Sequence, residues 1–125
     1  MHKIVYCQPY KPAEIIEIDE SLEAMQEHVG GYIQAIYPWS DPVALICNDN
    51  SIAMGLAPCR YIRDYGIILG NCFVIGLGGE DFRSLPDDLA DKYLEMFSLP
   101  EDFLRMGNNL YRIRGKKIES ILNIA

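Results

Sequence analysis

Two dense apolar segments constrain the fold of this chain more than any other feature of its sequence. The first runs from Gly30 to Asn48 and the second from Gly66 to Gly79, and turn-forming residues bound both. Within the first segment, the continuous apolar run Val43–Asn48 is typical of a strand that is covered on both faces. The two segments therefore predict an ordered sheet, although they indicate no particular reaction.

The rest of the chain adds strands and short helices around that sheet. Runs rich in β-forming residues predict strands at Lys3–Gln8 and Glu14–Ile18. Apolar positions three and four residues apart predict a helix from Leu22 to Val29 and another from Leu85 to Phe97. We therefore expect an α+β fold, a single small domain in which a mostly antiparallel sheet is packed by two or three short helices.

The middle of the chain gives less regular signals. The turn residues that follow Asn48 predict that Ile52–Leu56 returns as a short partner strand. The segment Ala57–Tyr65 predicts an irregular loop. Beyond it, Ile67–Leu77 is predicted as one long strand, with Gly70 at a bulge or a close backbone approach.

The last quarter of the chain mixes helix and strand signals. Ser98 and Glu101 are spaced as a capping box, which predicts a short helix that ends at Gly107. Leu110–Arg114 alternates as a strand does, and the apolar positions from Ile118 onward predict one or two final helical turns.

The charge of the chain is divided between its two ends. The formal charge is −7, but residues 1–102 hold 17 acidic and 6 basic side chains, whereas residues 103–125 hold 1 acidic and 5 basic ones. An acidic body repels the phosphate backbone, so we predict that the main domain does not bind nucleic acid. We divide the chain into an α+β domain over residues 1–98 and a helical, basic extension over 99–125, packed on or beside it.

The apolar runs and the first residues indicate a cytoplasmic protein. The runs are far shorter than the roughly 20 residues needed to cross a bilayer, and the start lacks the pattern of a secretory signal. We therefore expect no membrane association.

Four cysteines in such a compartment are expected to remain free thiols. No Cys-x-x-Cys pair is present, and the two histidines complete no zinc spacing, so we predict neither a metal nor a cofactor. Cys47 and Cys72 lie in apolar strand patterns and are predicted to be buried. Of Cys47, Cys59 and Cys72, Cys59 is the one that a neighbouring charge could activate as a nucleophile, because Arg60 adjoins it. Neither His2 nor His28 has the spacing of a partner base, so we do not predict catalysis by a cysteine.

No recognisable catalytic constellation is present, and we predict that the protein is not an enzyme. The Gly-rich segment Gly76–Gly79 lacks the spacing of a phosphate loop and runs into Glu80 and Asp81, which would repel phosphate. The paired carboxylates near Asp87 are spaced as a solvated helix face.

Two groups of residues are candidates for binding. Aromatic and arginine side chains are common anchors of interfaces, and a run of basic side chains beside an aromatic one can hold an anion. The predicted interaction surface comprises Tyr37, Trp39, Asp41, Arg60 and Arg63, and the predicted anion contact comprises Arg112, Arg114, Lys116 and Lys117. Whether Trp39 plugs the core or anchors a surface is left open by the sequence.

Several segments together resemble the bacterial domain-of-unknown-function family 3846. The resemblance covers residues 3–97. Its most specific parts are Val29–Pro38, Asp41–Asn48 and Ile75–Leu85, with Pro58 and Arg60 similar to a proline-to-arginine loop of that family. The family has no established activity, and the resemblance implies an accessory protein of a mobile element or of a Firmicute.

We therefore expect a non-enzymatic accessory module that binds an unknown protein partner or associates with itself. The alternative is a small-ligand or nucleic-acid binder that uses residues 57–65 and the basic C-terminal segment. Salt-sensitive binding to RNA or heparin would favour that alternative.

Overall fold

The centre of the main sheet is an antiparallel pair of strands that are almost entirely buried. In the computed structural model, which describes residues 1–114 and 117–120, strand β4 (Val43–Asn48) is buried along its whole length. Strand β7 (Cys72–Gly78) is buried over its first five residues and lies antiparallel to β4, with Leu45 opposite Val74. Their burial confirms the prediction that apolar runs here form strands covered on both faces.

Four further strands extend this pair into a six-stranded sheet in which every pairing is antiparallel. These strands are β1 (His2–Cys7), β2 (Glu14–Ile18), β3 (Ile33–Ile36) and β8 (Asp81–Arg83). The strand order is β2-β1-β7-β4-β3, and β8 pairs with the far end of β7.

One face of the six-stranded sheet packs against helix α1 (Leu22–Val29). Ile46 and Phe73 lie in the same buried cluster as Met25 and Val29 of that helix. The helix begins where the Ser21 hydroxyl accepts a hydrogen bond from the Ala24 amide, and it ends at Gly30 in the left-handed conformation, so its bounds match the predicted helix Leu22–Val29.

The opposite face packs against helix α2 (Asp87–Phe97) and a two-stranded sheet. Successive side chains of a strand point to opposite faces of the sheet, so the neighbours of those that face α1 point toward α2. Leu45 and Val74 are among them and form a second buried cluster with Tyr93 and Phe97 of α2. The two-stranded sheet consists of β5 (Pro58–Ile62) and β6 (Gly66–Leu69).

The two-stranded sheet is covered on its other side by the C-terminal strands. Ile68 belongs to the cluster of α2, whereas Ile67 and Leu69 form a separate cluster with Leu110 and the neighbouring Phe103. The C-terminal strands form a three-stranded sheet in the order β11-β10-β9, from β9 (Asp102–Met106), β10 (Asn109–Arg114) and β11 (Lys117–Ser120).

Three predictions for the middle of the chain are wrong. Ile52–Leu56 forms turns rather than a strand, because β3 and β7 already occupy both edges of β4. Ala57–Tyr65 contains β5 instead of an irregular loop. The predicted strand Ile67–Leu77 is two strands in different sheets, separated by a turn in which Gly70 has φ +82° and donates its N–H to the Ala57 carbonyl.

The C-terminal predictions have mixed outcomes. Strand formation at Leu110–Arg114 is confirmed. The helix predicted from Ser98 to Gly107 is wrong, since β9 lies there and Gly107 serves the turn into β10. Ile118 lies in β11 rather than in a helical turn, and residues 121–125 lie outside the described part of the chain. The division of the chain at residue 98 stays a prediction.

The predicted fold class is confirmed at the level of architecture: a small α+β domain, dominated by antiparallel sheet, with two helices in the described residues. Over residues 1–114 and 117–120, neither helix has the length and apolar character that spanning a membrane would require.

Candidate functional site

A surface groove of about 400 Å³ lies where the turn after β3, the end of α2, the β5–β6 turn and the C-terminal sheet meet. Its volume lies within the range of small-ligand and peptide side-chain pockets. The residues that line it are Pro38, Trp39, Tyr61, Ile62, Arg63, Asp64, Met96, Phe97, Glu101 and Arg112.

Trp39 is partly buried and forms the aromatic wall of the groove. Its ring packs on Tyr93 with centroids 4.7 Å apart and on Phe97 at 5.9 Å, so one side of the indole belongs to the core. The rest of the ring lines the groove. The structure therefore combines the two readings of Trp39 that the sequence left open, since the side chain contacts the core and remains accessible.

Asp41 anchors the turn that carries Trp39. Its Oδ2 accepts hydrogen bonds from Lys92 Nζ at 2.6 Å and from the Tyr93 hydroxyl at 2.8 Å. The hydrogen bond from Lys92, and to a smaller extent that from Tyr93, lower the pKa of Asp41. Burial raises the pKa of Tyr93. Asp41 does not line the groove; it fixes the turn to α2 and thereby positions Trp39.

Tyr61, Glu101 and Arg112 form the polar end of the groove. Glu101 accepts from Arg112 Nε at 2.8 Å through one carboxylate oxygen, and from the Tyr61 backbone N–H at 3.0 Å through the other. The Arg112 guanidinium also lies 4.9 Å from the centre of the Tyr61 ring, within the range of a cation–π contact. Glu101 thus ties the C-terminal sheet to β5.

The opposite rim consists of the turn between β5 and β6. Arg63 and Asp64 are exposed there, and Asp64 adopts φ +70°. Within the part of the chain that the structure describes, Arg63 makes no ion pair. The rim therefore presents a cation and a carboxylate above the apolar floor formed by Ile62 and Phe97.

Arg60 is not part of a surface, which corrects its assignment to the predicted interaction surface. Its side chain is 0% exposed. The guanidinium donates to the Lys11 carbonyl at 2.8 Å, the Cys59 carbonyl at 2.9 Å and the Phe97 carbonyl at 3.1 Å, with a longer bond to Gln8 at 3.4 Å. Arg60 therefore joins three segments of backbone inside the protein.

The other predicted residues divide between the groove and its surroundings. Tyr37 is 57% exposed and immediately precedes the groove residue Pro38. Arg114 is exposed but does not line the groove, whereas Arg112 does. Lys117 begins β11, and Lys116 lies outside the described residues.

Glu101 is absent from both predicted groups of binding residues, and Tyr61 is included only as part of the segment 57–65 of the alternative hypothesis. Pro58 and Arg60 interrupt the apolar pattern of β5, so its strand character, and with it the position of Tyr61, was hidden. The spacing of Ser98 and Glu101 is that of a capping box, so the sequence indicates a helix at Glu101 instead of a strand. Gly107 and Asn108, between two runs with strand-forming residues, were the available hairpin signal that would have brought Glu101 beside Arg112.

Comparison with known protein families identifies the domain. The profile of the family "Domain of unknown function (DUF3846)" matches residues 1–98. The chain belongs to this family. No curated protein and no solved structure matched the chain significantly.

The DUF3846 region holds most of the groove, including Trp39, Tyr61 and Arg63. Glu101 and Arg112 lie beyond residue 98, so the two charged residues at the polar end of the groove come from outside the matched region, whereas Tyr61 lies within it. In chemical terms the groove offers two aromatic rings, an apolar floor and charged groups of both signs. Such a surface can bind an apolar side chain of a partner and form hydrogen bonds to the polar groups around that side chain.

Proposed function

We propose that this DUF3846 protein is a non-enzymatic interaction module whose groove binds a short segment of a protein partner. The observation that carries the proposal is Trp39, which lies between the core and a groove of about 400 Å³. A tryptophan held on a rigid support can bury a partner's side chain with little further loss of conformational freedom.

The charge of the domain favours a partner segment that is apolar at its centre and basic around it. Residues 1–102 carry 17 acidic and 6 basic side chains. Exposed carboxylates on α2, among them Asp91 and Glu95, lie on the helix whose end forms part of the groove. An acidic field around an apolar site attracts basic partners and speeds their association. A cytoplasmic location and a mobile-element origin remain predictions.

A second candidate function is binding of a small anion or of nucleic acid. It is supported by the position of Arg63 and Arg112 on the same groove. Against it, Asp64 and Glu101 lie beside these arginines, and Glu101 already pairs with Arg112. We therefore favour a protein partner.

The test compares proteins captured from the native host by the wild type and by two variants. Trp39→Leu removes the indole, whereas Tyr32→Ala removes a ring that is 74% exposed and does not line the groove. A partner of this groove is retained by wild type and by Tyr32→Ala and is lost with Trp39→Leu. Circular dichroism of both variants verifies that the fold is intact.

The captured partner is then purified and titrated into the wild type while tryptophan fluorescence is recorded. Because Trp39 is the single tryptophan, a saturable emission shift reports binding at the groove. Binding without any shift, and equally strong binding by Trp39→Leu, would contradict the proposal. Binding of RNA or heparin that is lost with Arg63→Ala and at modest salt would instead support the second candidate. Concentration-dependent sedimentation of the protein alone would identify a second copy as the occupant.

A further inference from the structure

Three buried thiols from three different strands meet in the cluster beneath α2. Cys7 of β1 and Cys59 of β5 are 0% exposed, and Cys72 of β7 is 1% exposed. The Sγ atoms of Cys59 and Cys72 are 4.0 Å apart. Cys7 lies directly opposite Cys72 in the antiparallel register of β1 and β7. Cys72 is therefore in reach of two other cysteines.

A buried cation lies beside these thiols. Arg60 Nη1 is 3.7 Å from Cys59 Sγ, and the other acceptors of this guanidinium among the described residues are neutral backbone carbonyls. A positive charge without a carboxylate partner favours a nearby thiolate. The hydrogen bond from Cys72 and the charge of Arg60 lower the pKa of Cys7 in spite of its burial, whereas hydrogen bonding to Cys59 raises the pKa of Cys72.

We propose that Cys7, Cys59 and Cys72 form a peroxide-sensitive thiol site in which Cys72 becomes linked to a neighbouring cysteine by a reversible disulfide. A disulfide requires sulfur atoms about 2.05 Å apart, so the 4.0 Å contact of Cys59 with Cys72 closes through side-chain rotation and small strand shifts. In the described residues no group of three or more His, Cys, Asp and Glu side chains is arranged to hold a metal ion.

The reaction consumes one hydrogen peroxide per disulfide. The Cys7 thiolate attacks one peroxide oxygen, the O–O bond breaks, and the released hydroxide takes up a proton to become water; the sulfur is then a sulfenic acid. The Cys72 sulfur attacks the Cys7 sulfur, the S–O bond breaks, and a second water leaves with the Cys72 proton. Two thiols are thereby oxidised and one peroxide is reduced. Cys59 lies close enough to exchange into the new bond.

Cys47 provides a matched internal control. It is 2% exposed, comparable to the clustered cysteines, but its Sγ donates to the Gln34 carbonyl at 3.7 Å rather than contacting a thiol. Burial raises the pKa of Cys47 to about 11. If burial alone determined oxidation by peroxide, all four cysteines would react to the same extent. The proposal instead predicts that Cys47 remains a free thiol.

The experiment treats the folded wild type with hydrogen peroxide, quenches with catalase, and then alkylates the remaining thiols in denaturant. Mass spectrometry of the intact chain is expected to show two alkyl groups instead of the four of the untreated chain, and dithiothreitol before alkylation is expected to restore all four. Peptide mapping is expected to show Cys72 joined to Cys7 or Cys59, with Cys47 fully alkylated. If Cys72 stays alkylated, or if Cys47 enters disulfides to the same extent because oxidation requires global unfolding, the proposal is overturned.

Two variants sharpen the result. Cys47→Ala is expected to form the disulfide at the wild-type rate, and Cys72→Ala to lose it. Disulfide formation in folded Cys72→Ala to the wild-type extent would refute the central position of Cys72. If Cys72→Ala does not fold, the peptide map of the wild type decides the question by itself.

Discussion

Replacement of Arg60 by methionine tests whether a buried guanidinium stabilises this fold. Methionine keeps an unbranched side chain but removes every donor, so bonds to the carbonyls of Gln8, Lys11, Cys59 and Phe97 are lost. An unsatisfied buried carbonyl costs about 1–3 kcal/mol. Removing the guanidinium also ends the cost of holding a charge out of water, which offsets part of this loss.

We expect the loss of hydrogen bonds to exceed that gain. The carbonyls come from the β1–β2 connection, from β5 and from the end of α2, and methionine supplies no donor to any of them. With two or three carbonyls left unsatisfied, the free energy of unfolding falls by about 3–5 kcal/mol, a large part of the roughly 5–15 kcal/mol typical of a domain. Arg60→Lys should be intermediate, because one ammonium cannot reach acceptors in three segments.

Urea unfolding followed by circular dichroism measures the effect, and Arg63→Met is the control. Arg63 is exposed and three residues away, and its replacement is expected to change the free energy of unfolding by less than about 0.5 kcal/mol. If Arg60→Met is as stable as Arg63→Met with an unchanged m-value, desolvation of the guanidinium balances its hydrogen bonds and the reasoning is wrong.

Three further substitutions test other parts of the structure. Gly70→Ala places a Cβ 2.7 Å from Leu56 Cδ1 at a residue with φ +82°, and it should lower the free energy of unfolding by about 2 kcal/mol. The control Gly55→Ala, at φ +65° with open space around the added Cβ, should lower it by about 1 kcal/mol. Equal losses in chemical denaturation would contradict the predicted clash with Leu56. Because hydrogen bonds lower the pKa of Asp41 in the folded protein, its carboxylate stabilises the fold at pH values above its unfolded pKa of about 3.9. The higher stability of wild type relative to Asp41→Asn should therefore disappear as the pH falls through the folded pKa of Asp41. A difference in melting temperature that does not change with pH would contradict this prediction. Leu110→Ala removes a side chain that is 5% exposed and should cost about 2–4 kcal/mol in urea unfolding, whereas no loss would show that the C-terminal sheet contributes little to the core.

The elements that the sequence predicted correctly are those in which local pattern and tertiary environment agree. β4 is apolar at nearly every position and is buried throughout, and α1 has both a serine N-cap and a glycine at its end. In α2, residues four apart, including Tyr93 and Phe97, all turn toward the sheet. Periodicity is sufficient in these cases because each element meets the core with the face that its pattern defines.

The errors arise where a residue's partner is far away in sequence. Glu101 has the spacing of a capping residue, but its carboxylate binds Arg112 and the Tyr61 backbone instead. In the sequence, Arg60 resembles an exposed interface anchor. Only the tertiary structure shows that its side chain is buried and that backbone carbonyls accept its hydrogen bonds. The groove contains Trp39, Arg63 and Arg112, which the sequence indicated in two separate groups of candidates. Only the tertiary structure shows that these residues lie together and that Tyr61 and Glu101 join them.

The small sheet of β5 and β6 lies between two separate apolar clusters. Ile68 packs toward α2 and the main sheet, and Ile67 and Leu69 pack toward the C-terminal strands. The small sheet therefore contributes side chains both to the core of the DUF3846 region and to the core formed with the C-terminal strands. Unfolding of either part would expose apolar side chains that the other part covers. We expect calorimetry of the whole chain to record one cooperative transition, even though the family profile ends at residue 98.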